Sequence, residues 1–477
     1  MTPFAIALPA LSLLAALAGE EAPASPAFDA RLHAETNVAG GLTSDQAARL
    51  GEARSGDVAA RRADIDAAAA GVDQALVAYF PRLSGTARYT RLSSIEAPLL
   101  GNLVAADAPA GPLPEGAPLI NVPLRFPVLL NATTFQGALA LPVSDYVFRI
   151  GQAHAAATRT EAAARFAEDA ARRKARADAK TLYYEWARAR LSRIVADAAV
   201  AQAHGHLDDA RKAFEAGGTS RADVLRVEAQ VAATEQLALR AQTLTTALET
   251  RLRTVMHLRS SDPSAPLTIG EPVDVDLASV VASHDIDRLA DDAERARPEV
   301  RALSASIDAL GEQARATRGA AFPQLAVIGE ITDANPNLRY VPAPERFATT
   351  WSVTAQLAWS PNDAVAAVKA GNAVTARRAA LEGQRVALLD GLRTEIATAL
   401  QAIDDAQGAQ RNAARAVAAA EESYRVRRSL FQNGRATSIE LTDAEAELTR
   451  ARLELVAARI AARVANVQFA RATGQDE

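Results

Sequence analysis

The sequence predicts a mainly helical fold with a small β part, built from a duplicated unit of helix, strand, strand, very long helix and returning helix. Three observations predict it. First, motifs recur in one order: Ala78-Tyr79-Phe80-Pro81-Arg82-Leu83 returns as Ala320-Ala321-Phe322-Pro323-Gln324-Leu325, and Phe214-Glu215-Ala216-Gly217 returns as Phe431-Gln432-Asn433-Gly434, the mark of an internal repeat. Second, the segments after each Phe-Pro alternate with period two, as strands do. Third, Ser144–Glu215 and Asn362–Gln432 each hold a helical pattern without one proline, so each is a candidate for a single helix.

Taken in order, Phe4 to Leu17 is an apolar run ending in Ala16-Leu17-Ala18. It is too short to span a bilayer and reads as a signal peptide over 1–18, although no Lys or Arg precedes it. The first repeat covers 19–258, a mixed segment 259–284, and the second repeat 285–477. Phe28 to Leu42 reads as extended or irregular. A helix starts near Thr43, whose hydroxyl can form a capping box with Gln46, and runs to Tyr79, where Pro81 stops it. Its counterpart runs from about Asp285 to Ala321, interrupted at Arg297-Pro298.

The strands are expected near 82–92, 134–141, 324–332 and 350–359. Leu83, Gly85, Ala87 and Tyr89 oppose Ser84, Thr86, Arg88 and Thr90; Trp351, Val353, Ala355, Leu357 and Trp359 oppose Thr350, Ser352, Thr354 and Gln356. Strands of about nine or ten residues suit a tilted outer-membrane strand. Phe135, Leu139, Trp351, Val353, Leu357 and Trp359 are therefore the candidates for a lipid-facing surface, with the two tryptophans at opposite interfaces. Half-buried hairpins in a soluble sheet are the alternative, but each hairpin stands between long helices and would keep open edges. Ser93–Thr133 and Asp333–Thr349 are expected to be loops.

Each long helix, at about 1.5 Å per residue, would extend on the order of 105 Å. Gly217-Gly218 and Asn433-Gly434 end them in turns, and new helices begin within a few residues. The returning arms end near Leu258 and Thr473. In the last of them Leu441, Ala444, Leu448, Ala451, Leu455, Ala458, Ala462, Ala465 and Phe469 form one stripe, and Leu453, Val456, Ile460, Val464 and Val467 a second. Two stripes require two neighbours.

The chain has no cysteine, which excludes disulfides, thiolate metal sites and a Cys lipid anchor, and its net charge of −5 with both signs interspersed leaves no footprint for nucleic acid. No phosphate loop, HExxH or nucleophile elbow is present, so no enzyme, cofactor or metal centre is expected. His204-Gly205-His206 reads as part of a solvated helix, since residues two apart do not share a helix face. The carboxylates after the glycine turns stand out: Asp223 follows Gly217, and Glu440 and Asp443 follow Gly434. In a symmetric oligomer they would form acidic rings at a pore mouth. First-turn carboxylates also stabilise helix N-termini, and both roles stay open.

The Phe-Pro-x-Leu motif before a strand in both halves, Arg297-Pro298-Glu299-Val300, and the acidic residue six after each turn glycine together resemble the TolC-like outer-membrane efflux family, over nearly the whole chain. The resemblance implies a homotrimer whose subunits each give four strands to a twelve-stranded β-barrel in outer-membrane lipid, continued by a periplasmic α-helical barrel. It implies a passive exit duct of a tripartite efflux or type I secretion system. The implied partners are a periplasmic adaptor touching the turns at Gly217, Gly218 and Gly434, and an inner-membrane pump of RND type or an ABC exporter. Asp223, Glu440 and Asp443 match the family's acidic aperture. Phe214 and Phe431 depart from it, standing where a hydroxylated aromatic is often found, and Ala436 stands where one kind of member has Arg; Arg221 or Arg435 is then the expected aperture cation. A periplasmic coiled-coil adaptor or scaffold is the alternative, although such a protein would carry one helical hairpin rather than a duplicated set.

Overall fold

The computed structural model describes residues 26–95, 99–106, 112, 115–116, 118–125, 128–258, 267–277, 284–341, 343 and 345–475. The signal-peptide reading of 1–18, and much of the mixed segment 259–284, lie outside them. In chain order the elements are α1 (Pro26–Glu35), α2 (Ser44–Ala53), α3 (Gly56–Val77), β1 (Arg82–Arg91), β2 (Leu99–Ala106), β3 (Leu119–Arg125), β4 (Asn131–Leu141), α4 (Val143–Phe148), α5 (Ile150–Glu215), α6 (Arg221–Val255), α7 (Ile286–Ala296), α8 (Pro298–Gly319), β5 (Gln324–Asn335), β6 (Ala348–Ala358), α9 (Pro361–Gln432) and α10 (Ser438–Thr473). The mainly helical class with a small sheet is the one the repeat predicts.

Three expectations change. Phe28 to Leu42 is not all extended or irregular, because α1 forms over Pro26–Glu35; proline suits a first helical turn, and Leu32 is driven into the core. The helix expected from Thr43 to Tyr79 is two helices, broken at Arg54-Ser55, where Ser55 Oγ accepts from the Val58 N–H; the Thr43–Gln46 capping box is present. The loop Ser93–Thr133 contains strands β2 and β3, paired antiparallel, which its prolines had masked.

The chain divides into two compact units, one of residues 1–65, 163–304 and 383–477, the other of 66–162 and 305–382. The first is helical. Every member of the nine-residue Leu/Ala stripe on α10, from Leu441 to Phe469, is buried. Leu448, Ala451, Leu455 and Ala458 pack with Ala413, Val417 and Ala420 of α9, and Ala465 and Phe469 with Ile396, Leu400 and Ile403. The second stripe faces elsewhere: Val456 and Ile460 join Tyr183, Trp186 and Leu191 of α5, Leu252 of α6 and Met256 just after it. The two stripes thus have the two neighbours they require. Small residues set close approach here as well. At the parallel bridge between Leu42 and Ile269, a side chain on Gly41 or Gly270 would meet the backbone of the other.

In the second unit β1, β4, β5 and β6 form one antiparallel sheet in that order. The two hairpins are therefore not isolated; they join through β4 and β5. Register decides what each face carries. Leu139 lies opposite Leu83 and Gly329, Phe135 opposite Ala87, and Gly329 opposite Val353. Directly opposed residues share a face, so the apolar sets of all four strands gather on one side. Ser84, Thr86, Gln136, Glu330, Thr332, Thr350 and Ser352 gather on the other. Side chains tie the strand ends to the helices: Phe148 stacks on Phe322 at 4.5 Å, and the Tyr146 hydroxyl donates to the Tyr79 carbonyl at 2.7 Å.

Candidate functional site

Two helical turns and one sheet face are the candidate functional surfaces. At the first turn α5 ends at Gly217, whose φ of 75° suits glycine, and the Gly218 N–H donates to the Ala213 carbonyl at 2.8 Å. At the second, Gly434 has φ 69° and the Arg435 N–H donates to the Leu430 carbonyl at 2.8 Å. Both are left-handed helix ends of the Schellman type. Each returning helix then opens with a reciprocal capping box, Ser220 with Asp223 in α6 and Thr437 with Glu440 in α10.

These boxes define what two of the three carboxylates singled out in the sequence do within one subunit. Asp223 Oδ2 accepts from the Ser220 hydroxyl at 2.6 Å, the Ser220 N–H and the Thr219 hydroxyl. Its carboxyl is held below the ordinary range, first by the Ser220 hydroxyl and then by the Ser220 N–H. Glu440 Oε2 accepts from the Thr437 N–H at 2.8 Å and its hydroxyl at 3.1 Å, and its carboxyl is lowered by those bonds in that order. Asp443 stands exposed one turn further on. The capping role is therefore present, and it leaves Asp223 and Glu440 ionised at neutral pH.

The expected cations lie near these acids in sequence without pairing to them inside one subunit. Arg221 and Arg435 are exposed, and among the described residues neither forms an ion pair with these acids. The positive fields at the acids come from Arg226 beside Asp223 and Arg427 beside Glu440, and Arg427 donates to the Glu440 carbonyl at 3.4 Å.

His206 is a functional candidate that the sequence reading placed on a solvated face. It is only 3% exposed, held between Glu445 and Ser438 of α10. His204, by contrast, is exposed beside Glu235 at 3.1 Å. The signal that could have separated them is the apolar series Ala203, Leu207 and Ala210, whose buried face His206 adjoins.

On the sheet, Trp351 and Val353 are 73% and 67% exposed, and Phe135, Leu139, Leu357 and Trp359 are also exposed within one subunit. Trp359 lies one residue beyond β6, at the strand-to-helix junction, where its indole N–H donates to the Ala321 carbonyl at 3.2 Å. The description of it as a strand residue is corrected accordingly.

Residues 289–475 match the family model described as outer membrane efflux protein. Over that stretch, less than half of the chain, the sequence is similar to this family. Over about nine tenths of the chain the fold is shared with solved outer-membrane channels. The outer-membrane channel OprN superposes with a TM-score of 0.72 at 18% identity, covering 90% of this chain and 89% of that one. The CmeC outer membrane channel of Campylobacter jejuni gives 0.71 at 14% identity, covering 92% and 89%. The MtrE outer membrane channel of Neisseria gonorrhoeae, in its open state, gives 0.67 at 15%, covering 90% and 88%. No curated protein sequence matches.

Proposed function

We propose that the protein is the outer-membrane exit duct of a tripartite efflux or type I secretion system, a passive homotrimeric channel. A periplasmic adaptor would couple it at the turns of Gly217, Gly218 and Gly434 to an inner-membrane pump of RND type or an ABC exporter. The observation that carries this reading is the four-stranded sheet. One of its faces is apolar and exposed, the other polar, and β1 and β6 each pair on one side only among the described residues. Four strands cannot close by themselves, since bacterial barrels start at eight. Three copies would bring twelve, setting Phe135, Leu139, Trp351, Val353 and Leu357 against lipid and Ser84, Thr86, Gln136 and Glu330 toward a lumen. In the same trimer Asp223, Glu440 and Asp443 would each occur three times around the mouth, a field that low-dielectric walls focus.

Purified protein in planar bilayers tests this. Cation-selective conductance is expected, blocked by multivalent cations from the periplasmic side, with block weakened in the double variant Glu440→Ala, Asp443→Ala. Recovery as a soluble monomer without detergent, or no conductance in bilayers, would overturn the duct. Unaltered block in that variant would overturn the acidic mouth alone.

A further inference from the structure

His206 joins the two helical hairpins of one subunit. It projects from α5, in the first hairpin, and its Nδ1 lies 3.1 Å from Glu445 Oε2 while its Nε2 lies 3.2 Å from Ser438 Oγ, both on α10 in the second. Phe431 of α9 meets the ring edge-on at 5.1 Å between centroids. Glu445 and Ser438 are buried with it.

Two heteroatoms at 3.1 Å need a proton between them, and here it belongs to the imidazole or to the carboxyl. A buried carboxylate is costly without a counter-charge, and the imidazole is the group hydrogen-bonded to Glu445 Oε2. The surrounding charges are otherwise engaged. On α10, Arg452 holds Glu421 of α9 at 2.7 Å, and Glu440 is occupied by its cap. On α9, Arg428 acts on Tyr424, whose hydroxyl is raised mainly by burial, and Arg427 lies by Glu440. α6 presents Val224, Val227 and Val231 to this core, and its Glu228 is held by Arg211 of α5. On α5 itself, His204 pairs with Glu235 and Asp209 accepts from Gln432.

We propose that His206 and Glu445 form a proton-sensitive tie between the hairpins: the imidazolium holds them together, and loss of its proton loosens them. A charge-assisted bond is roughly twice as strong as a neutral one. Protonated, His206 gives Nδ1–H to the Glu445 carboxylate and Nε2–H to the Ser438 oxygen. Neutral, it keeps one N–H, and the Ser438 hydroxyl must turn to donate to Nε2. The joined arrangement is therefore favoured while the imidazole holds its second proton and weakens when that proton is lost. A bearing on conductance rests on the channel reading above; the tie itself does not.

Because the chain has no cysteine, spin labels can be placed cleanly by E215C with R435C, both at exposed positions beside the turns. In full-length protein in detergent, diluted with unlabelled chains so that distances are within one subunit, the tip-to-tip distribution should be narrow near pH 5.5 and broaden toward pH 8. His206→Gln should abolish the pH dependence. Glu445→Gln, which removes the charge that the imidazolium faces, should weaken that dependence several-fold. Hydrogen exchange of 206–210 and 438–445 in the unsubstituted chain, corrected for intrinsic rate, should show protection falling several-fold over the same range, which keeps the test open if a variant fails to fold. A distribution and a protection factor that ignore pH, or a response that survives His206→Gln, would overturn the tie. An intact spin-label response in a protein that does not conduct would overturn the duct and leave the tie standing.

Discussion

Phe214 stands exposed at the first hairpin tip, whereas Phe431, its repeat counterpart at the second, lies against His206. The local chemistry of the two tips is otherwise the same: a left-handed glycine, then a capping box three residues on. Duplication has preserved what makes the chain turn and has changed what the turn leans on. Beyond the tips, α10 is buried on two faces, but α6 buries only Val224, Val227, Val231, Thr245 and Leu252. Within one subunit the returning arm of the second hairpin is packed on two sides, whereas the returning arm of the first is largely exposed. Turn geometry and docking are therefore separable properties of these hairpins.

The largest expected effect exploits that difference. Leu441→Ala, in a side chain that is almost wholly buried, should cost about 2–5 kcal/mol, whereas Leu225→Ala on the exposed face of α6 should stay within about 0.5 kcal/mol. Thermal unfolding in detergent reads both, and equal losses would break the contrast between hairpins. Gly217→Ala and Gly434→Ala should cost roughly 1–2 kcal/mol each, the penalty of a left-handed residue with a Cβ. Here the two tips should agree, which sharpens the claim that the turns are equivalent. Ser220→Ala and Thr437→Ala should each lose about 1 kcal/mol, again alike.

The smallest effect is a pH dependence. Hydrogen bonds from Ser220 and Thr437 lower the folded-state carboxyls of Asp223 and Glu440. Their contribution is thus complete above the unfolded carboxyl range, near about pH 4, and is lost as pH falls through the lowered values. Acid titration of helicity in Asp223→Asn and Glu440→Gln should be shallower than in the parent. An identical titration curve would show that the capping boxes do not respond to charge.

Much of this was legible before any coordinates. The period-two runs located β1, β4, β5 and β6 to within a few residues, because in each strand the side chains declare both faces. The unbroken Leu/Ala stripe of α10 likewise declared its burial. The pairing of β4 with β5 was not legible, since it is a long-range contact that no local pattern encodes. β2 and β3 were hidden because Pro109, Pro112 and Pro114 make the whole loop look irregular. His206 was misplaced for a related reason: a polar residue beside a buried stripe reads as solvent-facing until its partner, Glu445, far along the chain, is seen.

The unpaired outer edges of β1 and β6 also bear on how the protein is made. A lone subunit carries two rows of backbone donors and acceptors that water must cover until other subunits arrive, so closure of the proposed barrel is an encounter problem whose rate rises steeply with the local density of newly exported chains. Expression level, and not only sequence, would then set the division between assembled and stranded material. Slowing synthesis would favour stranded monomers open to proteolysis, and crowding the chains would favour completion.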